Sequence, residues 1–371
     1  LNIMRELAGR PGVDAVFLSA GLSHDLRRRA PRWAPVLRGN AVEGGQRFEI
    51  LNGDPNAPSH HSFGSPAQVS HAPTEAAFAD FVEAQGPFDA IHFNNLEGLP
   101  AAVLALAERW PNTRIVLSLH NYYLFCPQVN LWHRETSHCA DFDSGRACIN
   151  CLPVRLDHGR VRMANAVTTG LTRIGIPPGS PLRERVVRPA MRSASRGARL
   201  LVGRPASRPQ ATHPVAPKRE DGAEAALFRQ RRDEMVRLAN AHCHAVLCVS
   251  ERTAEVARGY GVRPDLLHVS YIGTDHADRY ARTPPPQGLL AADGTLRLAF
   301  LGYMRRDKGF YFLLDALEAL PAHSLRRLDL LIAAAGRDPD ALARMERLRT
   351  RCAGLRHVNG YQRDGMDGLL S

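Results

Sequence analysis

A chain of 371 residues, 44% hydrophobic and 6% aromatic, is long enough for two α/β cores. No apolar run reaches the roughly 18 residues of a membrane-crossing helix, so no segment reads as one. The formal charge is +11, and it is concentrated: Arg155 to Arg237 holds 18 Lys and Arg against 7 Asp and Glu, and the rest of the chain holds 30 of each sign.

In chain order, Leu1–Ala8 reads as the end of a helix leading into Val13–Ser19, the first of four short apolar strands. The others are Arg47–Asn52, Phe88–Asn94 and Arg114–His120. Near-continuous apolar runs suit a parallel sheet covered on both faces. Glu75–Gln85 and Leu99–Trp110 read as helices between them, with Thr74 as the cap of the first. This alternation predicts βαβ units in a doubly wound sheet. Such a domain opens with a strand and a glycine-rich turn, which are expected before Leu1.

Alternation lapses over about 152–231, which reads as a basic insertion. Within it, Gly203–Lys218 reads as a loop from its Pro, Ser and Ala content. It resumes with a helix at Arg232–His242, a strand at Ala245–Val249, a helix at Glu251–Tyr260 capped by Ser250, and a strand at Leu267–Ile272. Thr283–Gly288 (TPPPQG) reads as a linker. The expected domains are therefore 1–284 and 293–371. The second holds strands at Leu296–Leu301, Leu328–Ala335 and Leu355–Val358, with helices at Lys308–Leu320 and Asp338–Arg349. Its remainder is expected beyond Ser371.

Four segments carry polar residues at predicted strand ends, where open α/β sheets bind ligands. They are His120-Asn121, Val249-Ser250, Tyr271–Asp275 with Gly273, and Phe300–Gly309. In the last, Gly302 is followed by Arg305, Arg306 and Lys308, then Gly309 and a helix. Cations beside a helix N-terminus make a site for a diphosphate.

In this order the four segments resemble the retaining glycosyltransferases of family 4, which have the GT-B fold of two Rossmann-like domains. The resemblance covers most of the chain except the basic segment. It departs at Tyr303, where the family has Arg, and at Ile272, where it has Asn before Gly273. The family's paired-Glu motif would fall beyond Ser371. The resemblance implies transfer of a sugar, with retention, from a nucleotide-diphosphate donor to a glycan, lipid-linked or small-molecule acceptor, in the interdomain cleft. It implies that Lys308, with Gly302 and Arg305 or Arg306, holds the diphosphate and that Lys308 stabilises the leaving charge. His120 would face the transferred sugar, and Asn121, Ser250, Gly273 and Asp275 would line the cleft or hinge. No catalytic metal is expected, because the basic loop and helix end supply the positive charge.

Three rivals follow from the same residues. A dinucleotide-dependent oxidoreductase needs G-x-G-x-x-G before a helix, whereas Gly259-Tyr260-Gly261 precedes a strand. A nucleotide-sugar epimerase of this architecture needs a carboxylate acid–base pair, and none stands out. An inactive protein that binds anionic surfaces would use the basic segment. That segment has few aromatics for base stacking, so no specific nucleic-acid partner is expected. The expected location is cytoplasmic, with 155–237 available for peripheral contact with the inner face of a membrane.

Of seven cysteines, Cys126, Cys139, Cys148 and Cys151 fall within 26 residues, spaced C-x12-C-x8-C-x2-C. The C-x2-C pair suits a structural zinc site, with His133 or His138 as a substitute ligand. Free thiols and disulfides are the rivals. Cys243, Cys248 and Cys352 read as separate buried thiols.

Overall fold

The computed structural model describes residues 2–36, 46–152, 155–187, 189, 221–273, 290–291, 293–361, 366 and 369. Asp275, the Gly203–Lys218 loop and the Thr283–Gly288 linker lie outside them. The chain divides into two units, Leu1–Thr274 and Asp275–Ser371.

Unit 1 opens with helix α1 (Asn2–Ala8) and strand β1 (Val16–Ser23). Strands β2 (Arg32–Pro35) and β3 (Gln46–Leu51) complete a sheet of order β1-β3-β2. Here β1 is parallel to β3, and β2 runs antiparallel on its other side. Helix α2 (Ala72–Gln85) leads to β4 (Ala90–Phe93) and β5 (Arg114–Leu119). These pair in parallel with β8 (Ala245–Cys248) and β9 (Leu267–Val269), giving the order β4-β5-β8-β9. Among the described residues these are two separate sheets where the strand pattern predicts one. The antiparallel β2 is one element that the pattern does not announce. The sheet β4-β5-β8-β9 is parallel throughout, as near-continuous apolar runs require.

Ile115, Leu117 and Leu119 of β5 are buried with Val246 and Cys248 of β8. They meet Phe78, Phe81 and Val82 of α2 in one core cluster. Each such side chain contributes about 1.5–3 kcal/mol on burial. Thr74 is not the cap of α2. The helix begins after His71, and buried Thr74 accepts a 3.0 Å bond at Oγ1 from Asp54 N. Residues 101–109 wind as a 3-10 helix (Ala101–Arg109) in place of the expected α-helix.

After β5 come a hairpin of β6 (Trp132–His133) and β7 (Ser137–His138), the short helix α3 (Arg146–Ile149), and helix α4 (His158–Arg173). A longer helix, α5 (Asp221–His242), precedes β8, and α6 (Glu251–Gly259) precedes β9. The basic segment therefore contributes two framework helices, α4 and α5. Gly145 explains how the preceding loop seats on α5. Its φ is +100°, and a Cβ there would lie 2.0 Å from Ala225 O.

Unit 2 holds a parallel sheet, β10 (Leu296–Tyr303), β11 (Leu328–Ala335) and β12 (Gly354–Val358). Between them lie α7 (Phe310–Ala319), the single turn α8 (Ala322–Leu325) and α9 (Pro339–Arg349). Phe310, Leu314 and Leu317 form one stripe of α7, and Ala341, Met345 and Leu348 one of α9. Both bury against Leu330 and Ile332 of β11. Asp338 caps α9, accepting from Asp340 N at 3.0 Å.

Candidate functional site

The carboxyl end of β5 delivers His120 to the surface. On the strand, Ile115, Leu117 and Leu119 face the core, and the alternating positions Val116 and Ser118 lead to His120. His92 of the neighbouring strand β4 lies 2.8 Å from Ser118 Oγ through Nε2. Partial burial holds the His120 imidazole below its ordinary value. His92 is also lowered, by burial first and then by the charge of His120. His92 on β4 and His120 after β5 thus belong to neighbouring strands of one sheet. His92 escaped the sequence reading because a lone histidine inside a strand has no motif.

Asn121 is fastened from below. Its Nδ2 donates to Glu97 Oε1 at 2.7 Å, and its Oδ1 accepts from Tyr123 N at 3.0 Å. Glu97 also accepts from Asn95 Nδ2 at 3.0 Å and from Ser59 N at 2.7 Å. Glu97 therefore ties three loops together beside His120, another role without a sequence signal. Tyr123, Leu124, Phe125 and Cys126 are all buried, so the loop after His120 is part of the core.

That loop needs partners for its carbonyls, and α5 supplies them. Buried Arg231 donates from Nη2 to Tyr123 O at 2.7 Å, and buried Arg232 from Nε to Phe125 O at 2.9 Å. The Arg232 guanidinium also lies 3.4 Å from the centre of the Phe142 ring. Other arginines of the basic segment are spent inside unit 1. Arg155 pairs with Glu224 at 2.5 Å, Arg173 with Asp25 at 3.3 Å, and Arg183 donates to Thr168 Oγ1 at 2.9 Å. No helix among the described residues is long and apolar enough to cross a membrane.

Ser250 is the side-chain cap of α6, accepting from Thr253 N at 3.2 Å. Gly273 is exposed, and a Cβ there would meet nothing within 4 Å. Ser250 Oγ also lies 3.0 Å from Thr253 Oγ1, within the same helix start.

In unit 2, β10 ends in a basic turn. Gly302 sits near the end of the strand, where a Cβ would meet only the Phe300 ring at ordinary contact distance. Arg305 is exposed and bound to Asp307 Oδ1 at 2.8 Å. The Arg306 guanidinium lies 5.4 Å from the centre of the Tyr311 ring. Lys308 is exposed and closes a 3-10 turn (Arg306–Lys308). Gly309 follows at φ +72°, and α7 begins after it without a side-chain cap. The leading N–H groups of α7 and the cations of the turn thus share one end of the helix.

The four clustered cysteines do meet. Cys126, Cys139, Cys148 and Cys151 line one cavity of about 10 Å³ with His133 and Arg232. All are free thiols. Cys139 Sγ donates to Asp141 O at 3.6 Å, and Cys151 Sγ to Gln128 Oε1 at 3.5 Å. Among the described residues, no three His, Cys, Asp or Glu side chains are placed to hold a metal ion. The four thiols thus share the wall of one small cavity. A separate cavity of about 580 Å³ lies between loop 64–70 and α5, lined by Ser65, Ser70, Phe228, Arg231 and Arg237 among others. None of the motif residues borders it.

No family model matches the chain, and no curated protein matches it. Among solved structures it is similar to an α,α-trehalose-phosphate synthase (UDP-forming) from Burkholderia vietnamiensis. That match has 10% identity and a TM-score of 0.42, covering 96% of this chain and 76% of the other. It is also similar to an α,α-trehalose 6-phosphate synthase from Burkholderia multivorans, at 11% identity and a TM-score of 0.42, covering 96% and 75%. Both likenesses are too distant to bear on activity.

Proposed function

We propose that the protein is a glycosyltransferase that uses a nucleotide-diphosphate sugar, with unit 2 binding the donor and unit 1 the acceptor. The observation that carries this reading is the end of β10. There an exposed Lys308, the flanking Arg305 and Arg306, and an uncapped helix start after Gly309 gather at the carboxyl edge of a parallel sheet. A diphosphate matches that arrangement, because both the helix end and the cations favour negative charge. The order of His120-Asn121, Val249-Ser250, Tyr271–Asp275 and Phe300–Gly309, resembling the retaining enzymes of family 4, supports the same reading.

In this mechanism the donor diphosphate binds at the basic turn, and Lys308 offsets the charge that grows on it as the glycosidic bond breaks. His120, neutral at pH 7, offers the transferred sugar a hydrogen bond rather than a charge. The decisive experiment is titration of the protein with UDP-, GDP- and dTDP-sugars, followed by assay of nucleoside diphosphate release. Absence of binding to any of them by the full chain would reject the proposal.

A further inference from the structure

The cavity of about 580 Å³ between loop 64–70 and α5 combines apolar and charged walls. Pro66 and Val69 of the loop, with Leu227 and Phe228 of α5, form the apolar part. Leu227 is 48% exposed, although α5 buries Met235, Leu238 and Ala239 in the core of unit 1. Arg231 also lines the cavity, four residues after Leu227. That spacing puts the two side chains on one face of the helix.

Arg231 is 4% exposed and carries a charge that no bonded partner cancels. Its Nε donates to Gln68 Oε1 at 2.5 Å and its Nη2 to Tyr123 O at 2.7 Å. Its remaining close contact is the Tyr123 ring, 4.8 Å away. Nη1 is buried without a partner. The pKa of the guanidinium is lowered, by burial first. The next residue, Arg232, is also buried, and it meets Phe125 O and the rings of Phe142 and Tyr260. Neither arginine is ion-paired among the described residues. A buried cation without a counter-charge is costly.

Two acids border the same cavity, and neither supplies that counter-charge. Glu234 is clasped through both oxygens by Arg237, at 2.7 and 2.8 Å. Asp233 is exposed, where water and salt screen it. An occupant of the cavity would bring the missing negative charge to Arg231 and cover the apolar wall at once. The volume suits one, since small-molecule sites run from about 300 to 1,000 Å³ and are mostly apolar with a few placed polar groups.

We propose that this cavity binds a small molecule with an apolar body and one anionic group, a carboxylate or a phosphate. The body lies against Pro66, Val69, Leu227 and Phe228, and the anion meets Arg231. Arg231 also holds Tyr123 O, three residues beyond His120, so the occupant is tied to that loop through one side chain. The site is independent of the glycosyltransferase reading, because neither His120 nor any residue of the basic turn in unit 2 borders the cavity.

The test is calorimetric titration of the full chain with octanoate and octyl phosphate, with 1-octanol and inorganic phosphate as the body and the head alone. At least one of the two amphiphiles should bind, about tenfold or more tighter than octanol or inorganic phosphate. Whichever binds tighter identifies the head group. Leu227→Glu places a carboxylate one turn before Arg231 and should weaken the amphiphile at least about tenfold. Its melting temperature should match the parent's, since Leu227 is half exposed on a helix. Leu227→Met keeps the apolar wall and should bind as the parent does. Lys308→Ala should leave amphiphile binding unchanged, because the basic turn of unit 2 is a separate place for an anion. The inference is overturned if neither amphiphile binds, or if octanol or inorganic phosphate binds equally well. It is equally overturned if Leu227→Glu binds as the parent does, or if Lys308→Ala abolishes binding. Should Leu227→Glu fail to fold, Leu227→Ala takes its place: affinity should fall about threefold, and unchanged affinity overturns the inference.

Discussion

Arg231 donates from Nη2 to the carbonyl of Tyr123 at 2.7 Å, three residues beyond His120. The same guanidinium lies 4.8 Å from the centre of the Tyr123 ring and also donates to Gln68 Oε1 at 2.5 Å. Burial pushes the Tyr123 phenol up to about 12. An arginine this buried is costly unless it is well bonded. Its presence means that the loop after His120 is held by a helix from the basic segment.

Arg231→Met should therefore destabilise the protein by about 3 kcal/mol, since it leaves Tyr123 O and Gln68 without their donor in a buried setting. Chemical denaturation measures this. Unchanged stability would show that the loop does not depend on Arg231.

Lys308→Ala should change stability by no more than about 0.5 kcal/mol, as the side chain is exposed. Nucleotide-sugar affinity should fall at least about tenfold, the scale of one charge-assisted hydrogen bond. Arg305→Ala should cost less affinity, because Arg305 is already engaged by Asp307 at 2.8 Å. Equal binding by Lys308→Ala and the parent would remove the basic turn from the donor site.

For His120, the lowered pKa sets the expected pH profile. Turnover should stay flat above the ordinary imidazole value of 6.5 and fall only below it, as the ring becomes charged. In His120→Asn, turnover should drop and the acid limb should vanish, with the donor Michaelis constant little changed. A variant that only melts earlier would make His120 structural.

The strands were the legible part of this fold. Strand β11 is legible to the residue, apolar at every position but Asp329, and the helix expected over Asp338–Arg349 is α9, with Asp338 as its cap rather than its first residue. Helix α4 was not legible, because Val161 and Ala166 are its only buried apolar residues and the rest of its docking face is polar. His158, Arg162, Asn165 and Thr169 sit over loops rather than a core, so no hydrophobic period marks them. The split of unit 1 into two sheets was hidden too, since apolar strands announce burial and not their neighbours. At the site, short motifs placed His120, Ser250 and Lys308 at element ends. Glu97 and His92 act through contacts that only folding brings about.

Buried His24, the residue after β1, ties stability to pH. Burial first, then the charge of Arg162, lowers its pKa from 6.5 to about 4. Asp54 acts in the opposite direction, and His158 adds to the lowering. The unfolded chain binds the proton more tightly, so stability is fully present above pH 6.5 and is lost as pH falls towards 4. His24→Gln keeps a neutral polar group and removes the titration. The melting temperature should then fall less steeply between those pH values than in the parent. Identical slopes would mean that His24 is protonated in the folded state.

The cysteine loop gives the last prediction. Four thiols border one small cavity, and burial followed by the charge of Cys126 pushes Cys148 up to about 12. The pKa values of Cys139 and Cys151 are also raised, chiefly by burial. Only the thiolate reacts quickly with disulfide reagents or takes a metal. A zinc ion would need all four sulfurs about 2.3 Å from one point, whereas Cys139 and Cys151 turn to Asp141 O and Gln128 Oε1. The folded protein should therefore react slowly with an aromatic disulfide reagent at neutral pH, and all seven cysteines should react once it is denatured. Elemental analysis of the same sample should find far less than one zinc per chain. One zinc per chain, released together with reactive thiols on denaturation, would show instead that the loop closes on a metal and that its thiols rotate inward to do so.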